Sequence, residues 1–379
     1  MPRAALLVSP APLDAYPPVQ NQARLLARAG FKVEVVTAAV PWKAGAPDFA
    51  EPGVAVHKVD SAGRGPFAAG ARNLHYLAVI AAARRRLGGE ELVEIAYDPV
   101  GMLLSDCAPH RPRLRVAHFH ECLQRLDTTW LERRLRSAIA GYDRIVVADE
   151  SRATILQDQL SLEHEPLVIP NYPMWSYPPP RRSGGPEFEV IYCGVVGMLQ
   201  KLDVIIASVA HWPERAVFTI VGNDRTEIGT ELKRIAATNG VQSRVNFAGW
   251  LPYDRLGQRL AQADVGILFL DPSYEQFRTA LGASNKRYQY LQSGLPQIGD
   301  MNPGVAEFLE GQGIGRCVAS FDPVELASVV AQYATQPELS AAQGRRAYEL
   351  HQTRYNYENA FAPLLEWLLA SVSRKGVAA

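Results

Sequence analysis

Short apolar β-rich runs alternate with helical patterns along almost the whole chain, and this alternation restricts the possible fold more than any other feature. Ala4–Ser9, Phe31–Thr37, Val54–Val59, Leu92–Ala96, Leu114–Phe119, Arg144–Ala148 and Leu167–Ile169 read as strands. Val19–Ala29, between the first two, reads as an amphipathic helix closed by Gly30. Continuous apolar strands separated by helices predict a parallel sheet covered on both faces. The pattern breaks at Tyr172–Pro186, Y-P-M-W-S-Y-P-P-P-R-R-S-G-G-P, which is too rich in proline and glycine for helix or central strand. It then resumes. Strands are expected at Val190–Cys193, Val217–Val221, Val245–Phe247, Val265–Leu270, Pro296–Ile298 and Cys317–Ala319. Helices are expected near Leu202–Ala210, Thr226–Asn239, Tyr253–Ala261, Asn285–Ser293, Gly304–Glu310 and Pro323–Ala334.

The expected architecture is therefore α/β, with two doubly wound, Rossmann-like domains facing across a cleft. The first spans 1–171, a linker 172–187, and the second domain 188–350. The remainder, 351–379, carries an aromatic-rich helical pattern, Tyr355–Leu369, expected to bend at Pro363 and to pack back on the first domain. In such sheets ligands bind beyond the carboxyl ends of the strands, which directs the search to the cleft.

Composition removes several classes. Lys plus Arg equals Asp plus Glu, 39 against 39, so no net charge draws the chain to nucleic acid. The four cysteines are dispersed without a C-x-x-C pair and read as buried thiols of a reducing compartment. The N-terminus, M-P-R-A-A-L-L-V-S-P, reads as a first strand rather than a signal peptide. No run approaches the roughly 18 apolar residues of a membrane span. The expected location is the cytoplasm, with the inner face of the membrane as a further option.

Within the second half, Ser284–Pro296, S-N-K-R-Y-Q-Y-L-Q-S-G-L-P, starts with small polar residues and a lysine, runs about two helical turns and stops at Gly294. A helix N-terminus exposes unpaired N–H groups and the positive end of the macrodipole. Ser284 or Asn285 can cap it, and Lys286 adds a full charge that an intervening anion, such as a diphosphate, makes tolerable. The alternative is an ordinary capped surface helix. Gly194 and Gly197, after the strand at 190–193, allow close backbone approach, and Lys201 can reach an anion at the strand end; a plain βα turn would look similar.

Taken together, V-I-Y-C-G-V-V-G-M-L-Q-K-L-D (190–203), F-T-I-V-G-N-D (218–224), V-N-F-A-G-W-L-P (245–252), A-D-V-G-I-L-F-L (263–270) and Ser284–Pro296 resemble the GT-B glycosyltransferases. The closest resemblance is to the large retaining family called family 4, or group 1. Weaker matches are H-F-H-E (118–121) and V-I-P-N (168–171). In that family the loop after the first glycine usually offers an arginine and, six residues on, a lysine to the donor diphosphate. Lys201 fits the lysine, whereas Val195 occupies the arginine position. Two glutamates eight residues apart are also usual; Leu281 and Gln289 stand in those places. Ser284-Asn285-Lys286 instead matches an Asn-Lys subset found in bacterial polysaccharide and glycoconjugate biosynthesis. Gln289 can still hydrogen-bond a ribose or sugar hydroxyl without charge.

The resemblance further implies that Asn223 and Asp224 approach the nucleotide and that Trp250 and Leu251 line the base pocket, although Trp250 could equally cover the core. It places His120 near the donor sugar, with Glu121 able to orient an acceptor hydroxyl or to cap the next helix. Strand alternation puts His118 and His120 on one side and Phe119 on the other. The segment T-W-L-E-R-R-L-R-S-A-I carries Arg133, Arg134 and Arg136, with Trp130, Leu131, Leu135 and Ile139 on the opposite face. It is expected to be an ordinary amphipathic helix or a peripheral membrane contact.

The expected function is transfer of a sugar, with retention of configuration, from a nucleotide-diphosphate donor to a glycan, lipid-linked or small-molecule acceptor. The lysines and amides take the place of a metal, since the chain has no D-x-D motif, and no cofactor is expected beyond the donor itself. Alternatives are a non-catalytic GT-B partner or scaffold, a GT-B nucleotide-sugar epimerase, and a two-lobed solute-binding protein, against which the absent signal peptide argues.

Overall fold

A computed structural model describes residues 3–13, 16–39, 49–60, 66–88, 91–121, 129–176 and 186–373. The chain divides into two compact units, Met1–Met174 with Tyr357–Ala379, and Trp175–Asn356. Of the segment expected to link them, 177–185 lie outside the described residues.

In the first unit, β1 (Ala4–Ser9), β2 (Lys32–Ala38), β3 (Val54–Val59), β4 (Leu92–Tyr97), β5 (Leu114–Phe119), β6 (Arg144–Val147) and β7 (Leu167–Val168) form a parallel sheet in the order β3-β2-β1-β4-β5-β6-β7. Its helices are α1 (Pro17–Arg28), α2 (Pro66–Leu87), α3 (Asp98–Cys107), α4 (Thr129–Ile139) and α5 (Glu150–Leu160). Alternation along β1 divides the core into two layers. Leu6 and Val8 join Ile80 of α2 and Leu135 of α4 on one face. Ala5 and Leu7 join Val19 and Leu26 of α1 on the other, together with Phe361, Leu364 and Leu368. Those last three come from the C-terminal helix, which returns to this unit and runs through Pro363. Local chemistry sets the helix starts: prolines occupy the first turns of α1 and α3, and Asp149 caps α5 by accepting from the Ser151 amide at 2.8 Å.

The core of this unit also holds a fully buried ion pair. Arg84 of α2 meets Glu94 of β4 through two hydrogen bonds of 2.8 Å, and its other donors reach the carbonyls of Ser105, Ala108 and Pro109. A buried guanidinium is tolerable only with partners as numerous as these.

The second unit repeats the winding. β8 (Phe188–Cys193), β9 (Ala216–Val221), β10 (Val245–Gly249), β11 (Val265–Leu268), β12 (Gln297–Gly299) and β13 (Gly315–Cys317) stand in the order β10-β9-β8-β11-β12-β13, all parallel. The helices are α6 (Leu202–Ser208), α7 (Glu227–Thr238), α8 (Tyr253–Leu260), α9 (Glu275–Arg278), α10 (Asn285–Gln292), α11 (Val305–Leu309), α12 (Pro323–Thr335) and α13 (Pro337–Thr353); α14 (Tyr357–Ser373) is the helix of the first unit already described. In both sheets the direction of winding reverses beside the first strand, between β1 and β4 and between β8 and β11. These reversals leave crevices at the carboxyl ends of the strands.

Two expectations need correction. The cysteines are not uniformly buried: Cys193 is, but Cys107 is exposed and Cys317 half-buried, while Cys122 lies outside the described residues. Trp130 does not share the packed face of α4. It is 64% exposed, whereas Leu135 and Ile139 are buried, and the side chain of Leu131 lies outside the described residues.

Candidate active site

The second-unit residues singled out in the sequence lie along one rim, at the carboxyl ends of neighbouring strands. Gly194 follows β8 and adopts φ 135°, a conformation open to glycine. A Cβ there would collide with Cε of Lys286, so the Lys286 side chain crosses directly over this backbone. Gly222, at the end of β9, has no room for a Cβ either, because the Gly194 carbonyl occupies that space. The 3-10 turn Met198–Gln200 then leads to Lys201, itself left-handed at φ 51°.

Lys201 Nζ is 2.6 Å from Asp271 Oδ2, just beyond β11. Asp271 also accepts from the Ser273 amide at 2.9 Å. The Lys201 hydrogen bond, seconded by Ser273, pulls the Asp271 carboxyl down to about 2. Behind it, buried Asp300 accepts from the Leu270 and Asn302 amides at 2.8 and 2.9 Å, and Arg287 stands 3.3 Å away. Asn302 Nδ2 donates to the Leu270 carbonyl at 2.8 Å. The end of β11, and with it Asp271, is therefore held from below.

α10 is pinned by Tyr290, whose hydroxyl donates to the Ile267 carbonyl of β11 at 3.0 Å and lies 3.3 Å from the Cys193 amide of β8. Gly266 leaves space for the ring. Ser284 occupies the N-cap position but forms no capping side-chain hydrogen bond, contrary to expectation. Asn285 is half-buried at the first helical position. Gln289 is 7% exposed, and its Oε1 lies 3.8 Å from Cys193 Sγ. Val195, in the place of the expected arginine, is 68% exposed, and Gly197 begins the 3-10 turn.

The remaining second-unit candidates make contacts of their own. Asn223 accepts from the Arg225 amide at 3.2 Å. Asp224 pairs with Lys233 of α7, which lowers its pKa. Trp250 is 41% exposed, and Leu251 packs on the core.

In the first unit His120 caps the end of β5, with its ring nitrogens buried. The residue is only 3% exposed, so it is less open than a cleft position suggests. Its ring stacks on Tyr97 (centroids 5.1 Å apart, planes 3° apart) and touches His118 (4.4 Å) and Tyr16 (5.4 Å). Burial pushes the His118 pKa well down, with His120 adding to the effect. Gln22 fixes the His118 tautomer. Its Oε1 accepts from the Tyr97 hydroxyl at 2.6 Å, which turns its amide NH₂ toward His118 Nδ1 (2.9 Å) and the Tyr357 hydroxyl (2.8 Å). Asp98, at the end of β4, accepts from the His120 amide at 2.9 Å and the Glu121 amide at 3.4 Å. Glu121 is otherwise exposed, and the residues after it lie outside those described.

Sequence reasoning missed Asp98, Asp271 and Asp300. The first two had a signal: each is the aspartate of an Asp-Pro pair directly after an apolar strand, Asp98-Pro99 and Asp271-Pro272.

Residues 187–336 match the family model described as glycosyl transferases group 1. Solved structures are similar over nearly the whole chain. Sucrose-phosphate synthase from Thermosynechococcus elongatus matches with a TM-score of 0.73 at 15% identity, covering 97% of this chain and 100% of that one. Anabaena HepE in complex with UDP-glucose matches with a TM-score of 0.74 at 14% identity, covering 98% and 100%. A TarM variant from S. aureus, in complex with fondaparinux, alpha-GlcNAc-glycerol and UDP, matches with a TM-score of 0.72 at 10% identity, covering 97% and 100%. A search of curated protein sequences found no match. The fold is GT-B, and with the matched group 1 domain it defines the class of enzyme: a glycosyltransferase.

Among the described residues, no helix is long and apolar enough to cross a membrane, and no group of three or more His, Cys, Asp or Glu is placed to hold a metal.

Proposed function

We propose that the enzyme transfers a sugar from a nucleotide-diphosphate donor, with retention of configuration, and that the second unit holds the donor at the reversal between β8 and β11. The observation that carries this reading is Lys286 lying across Gly194 with Lys201 on the same loop. The Lys286 side chain lies over a glycine backbone that a ligand can approach closely, and Lys201 ends the loop that starts at that glycine. They neutralise the diphosphate without a metal and stabilise the charge that grows as the leaving group departs. Lys201 comes to this task already paired with Asp271, so a diphosphate competes with that carboxylate. Val195 supplies nothing to it; the missing arginine leaves Lys286 as the second cation.

The UDP-glucose of HepE and the UDP of TarM support uracil as the base. Asn223, Asp224, Trp250 and Leu251, on the ends of β9 and β10, belong to the nucleoside side in this reading. Ser284, Asn285 and Gln289 are the polar groups offered to ribose or sugar, Gln289 only from its buried position. His120 and Glu121 contribute to transfer onto a glycan, lipid-linked or small-molecule hydroxyl.

The reading extends to a peripheral contact with the inner face of a membrane through α4, whose Trp130 is exposed. Its basic face is partly engaged, Arg134 with Asp106 at 3.3 Å and Arg136 with Glu132 at 2.9 Å.

The test is a thermal-shift panel of nucleosides, nucleoside diphosphates and nucleotide sugars. A ligand bound by the native state raises the melting temperature by mass action. UDP and one UDP-sugar should raise it more than uridine does. No response to any diphosphate would contradict the donor assignment.

A further inference from the structure

The end of β4 presents two adjacent residues to His120, one for its ring plane and one for its backbone. Tyr97 pairs in register with His118, so Asp98 follows at the level where β5 ends. The Tyr97 ring stacks on the imidazole. Asp98 Oδ1 accepts from the amides of His120 and Glu121, while Oδ2 lies 3.6 Å from His120 Nδ1. Arg152 of α5 donates to the His120 carbonyl from the other side. The turn that carries His120 is thus clamped at its N–H and at its C=O.

The backbone of Asp98 is also unusual. It sits at φ 54°, in the left-handed region, directly before Pro99. A non-glycine residue there costs on the order of 1 kcal/mol and persists when its surroundings over-determine it. Gly101 contributes to that constraint. A Cβ at this position would stand 2.8 Å from the Val8 carbonyl, so the first turn of α3 packs directly on the end of β1.

We propose that Asp98 is a positioning residue for His120: it sets the turn, and its carboxylate holds the imidazole proton on Nδ1, leaving the buried Nε2 as the ring nitrogen without a proton. This rests on the role given to His120 above. The separation of 3.6 Å is too long for a hydrogen bond, so the effect is one of charge on the direction of the N–H dipole, strengthened by burial. His118 does not compete. Burial keeps it neutral, and its Nδ1 accepts from Gln22. The arrangement follows the general rule that a carboxylate behind an imidazole sets its tautomer.

The test is a long-range ¹H–¹⁵N correlation spectrum of the imidazole nitrogens in the full chain, with His120 assigned by its disappearance in His120→Gln. The wild-type neutral ring should carry its proton on Nδ1. Asp98→Asn keeps an oxygen for the two amides and is the side chain best suited to φ above zero, so the turn is retained while the charge is lost. In that variant the proton should move to Nε2, and kcat for UDP release from UDP-glucose should fall by about tenfold or more at unchanged donor KM. On a His120→Gln background, Asp98→Asn should have no further effect on kcat.

An Nε2–H ring in the wild type overturns the proposal without recourse to any variant. So does an Asp98→Asn protein whose tautomer and kcat match the wild type, or one that loses the same factor with His120 already replaced. Normal turnover in His120→Gln with the expected spectrum separates the two claims: the transfer role of His120 fails and the Asp98 pairing stands.

Discussion

Two residues carry the most specific consequences at this scale. Gly194 is constrained twice, by its φ of 135° and by the Lys286 side chain above it. Gly194→Ala should therefore displace Lys286 rather than open the fold. Diphosphate affinity should drop by about tenfold, alongside roughly 1–3 kcal/mol of backbone strain. Calorimetric titration with UDP and a thermal melt check the two parts separately. His120 is buried among three rings, so its truncation to Ala would create a cavity as well as remove chemistry. His120→Gln retains most of the volume. It should lower kcat roughly 10²-fold with a small change in melting temperature. Unchanged kcat would remove His120 from the transfer step. Gly194, Lys201 and Lys286 were legible in the sequence because glycine spacing after a strand and a lysine beside a helix start are local signals. Asp271 was not, because its role depends on Lys201, which is 70 positions away in sequence and 2.6 Å away in space.

Elements were legible where their apolar period was strong. The expected strands recur within a residue or two of their observed bounds, and α6, α7, α10 and α12 fall where the pattern put them. α13 was missed for a physical reason. Its buried face is Ser340, Gly344, Ala347, Leu350 and His351, mostly small or polar side chains, so the helical period is present in size rather than hydropathy. Small residues let it approach α10 closely. They also bury His351, whose pKa is lowered from an ordinary 6.5 to about 4 by burial, against a hydrogen bond to the Tyr355 carbonyl that acts upward. Between those two values the unfolded chain binds a proton that the folded chain refuses, so this residue's effect on stability is absent above about pH 6.5 and destabilising as pH falls toward 4. Its full effect is on the order of 3 kcal/mol. His351→Gln should remove that part of the acid loss. Urea melts of the two proteins at pH 7 and pH 4 should differ in slope against pH; parallel curves would mean that His351 protonates freely in the fold.

For the whole molecule, the alternation of strands and helices reads as two doubly wound sheets, and the chain divides into two compact units, Met1–Met174 with Tyr357–Ala379 and Trp175–Asn356. The return of α14 to the first unit depends on Phe361, Leu364 and Leu368 meeting Val19 and Leu26, contacts between opposite ends of the chain. The buried Arg84–Glu94 pair was invisible because a charged residue in a strand pattern reads as exposed until its partner is known.

The central claim is that the second unit binds a diphosphate through Lys201 and Lys286, and calorimetric titration of UDP into the wild type, Lys201→Ala and Lys286→Ala tests it most directly. Each substitution should weaken binding by about 1.5–3 kcal/mol, the range for hydrogen bonds to charged groups. Lys201→Ala should be the more damaging, because it also leaves the Asp271 carboxylate unpaired beside the ligand. Uridine affinity should stay the same in all three. Wild-type UDP affinity in both variants would contradict the account.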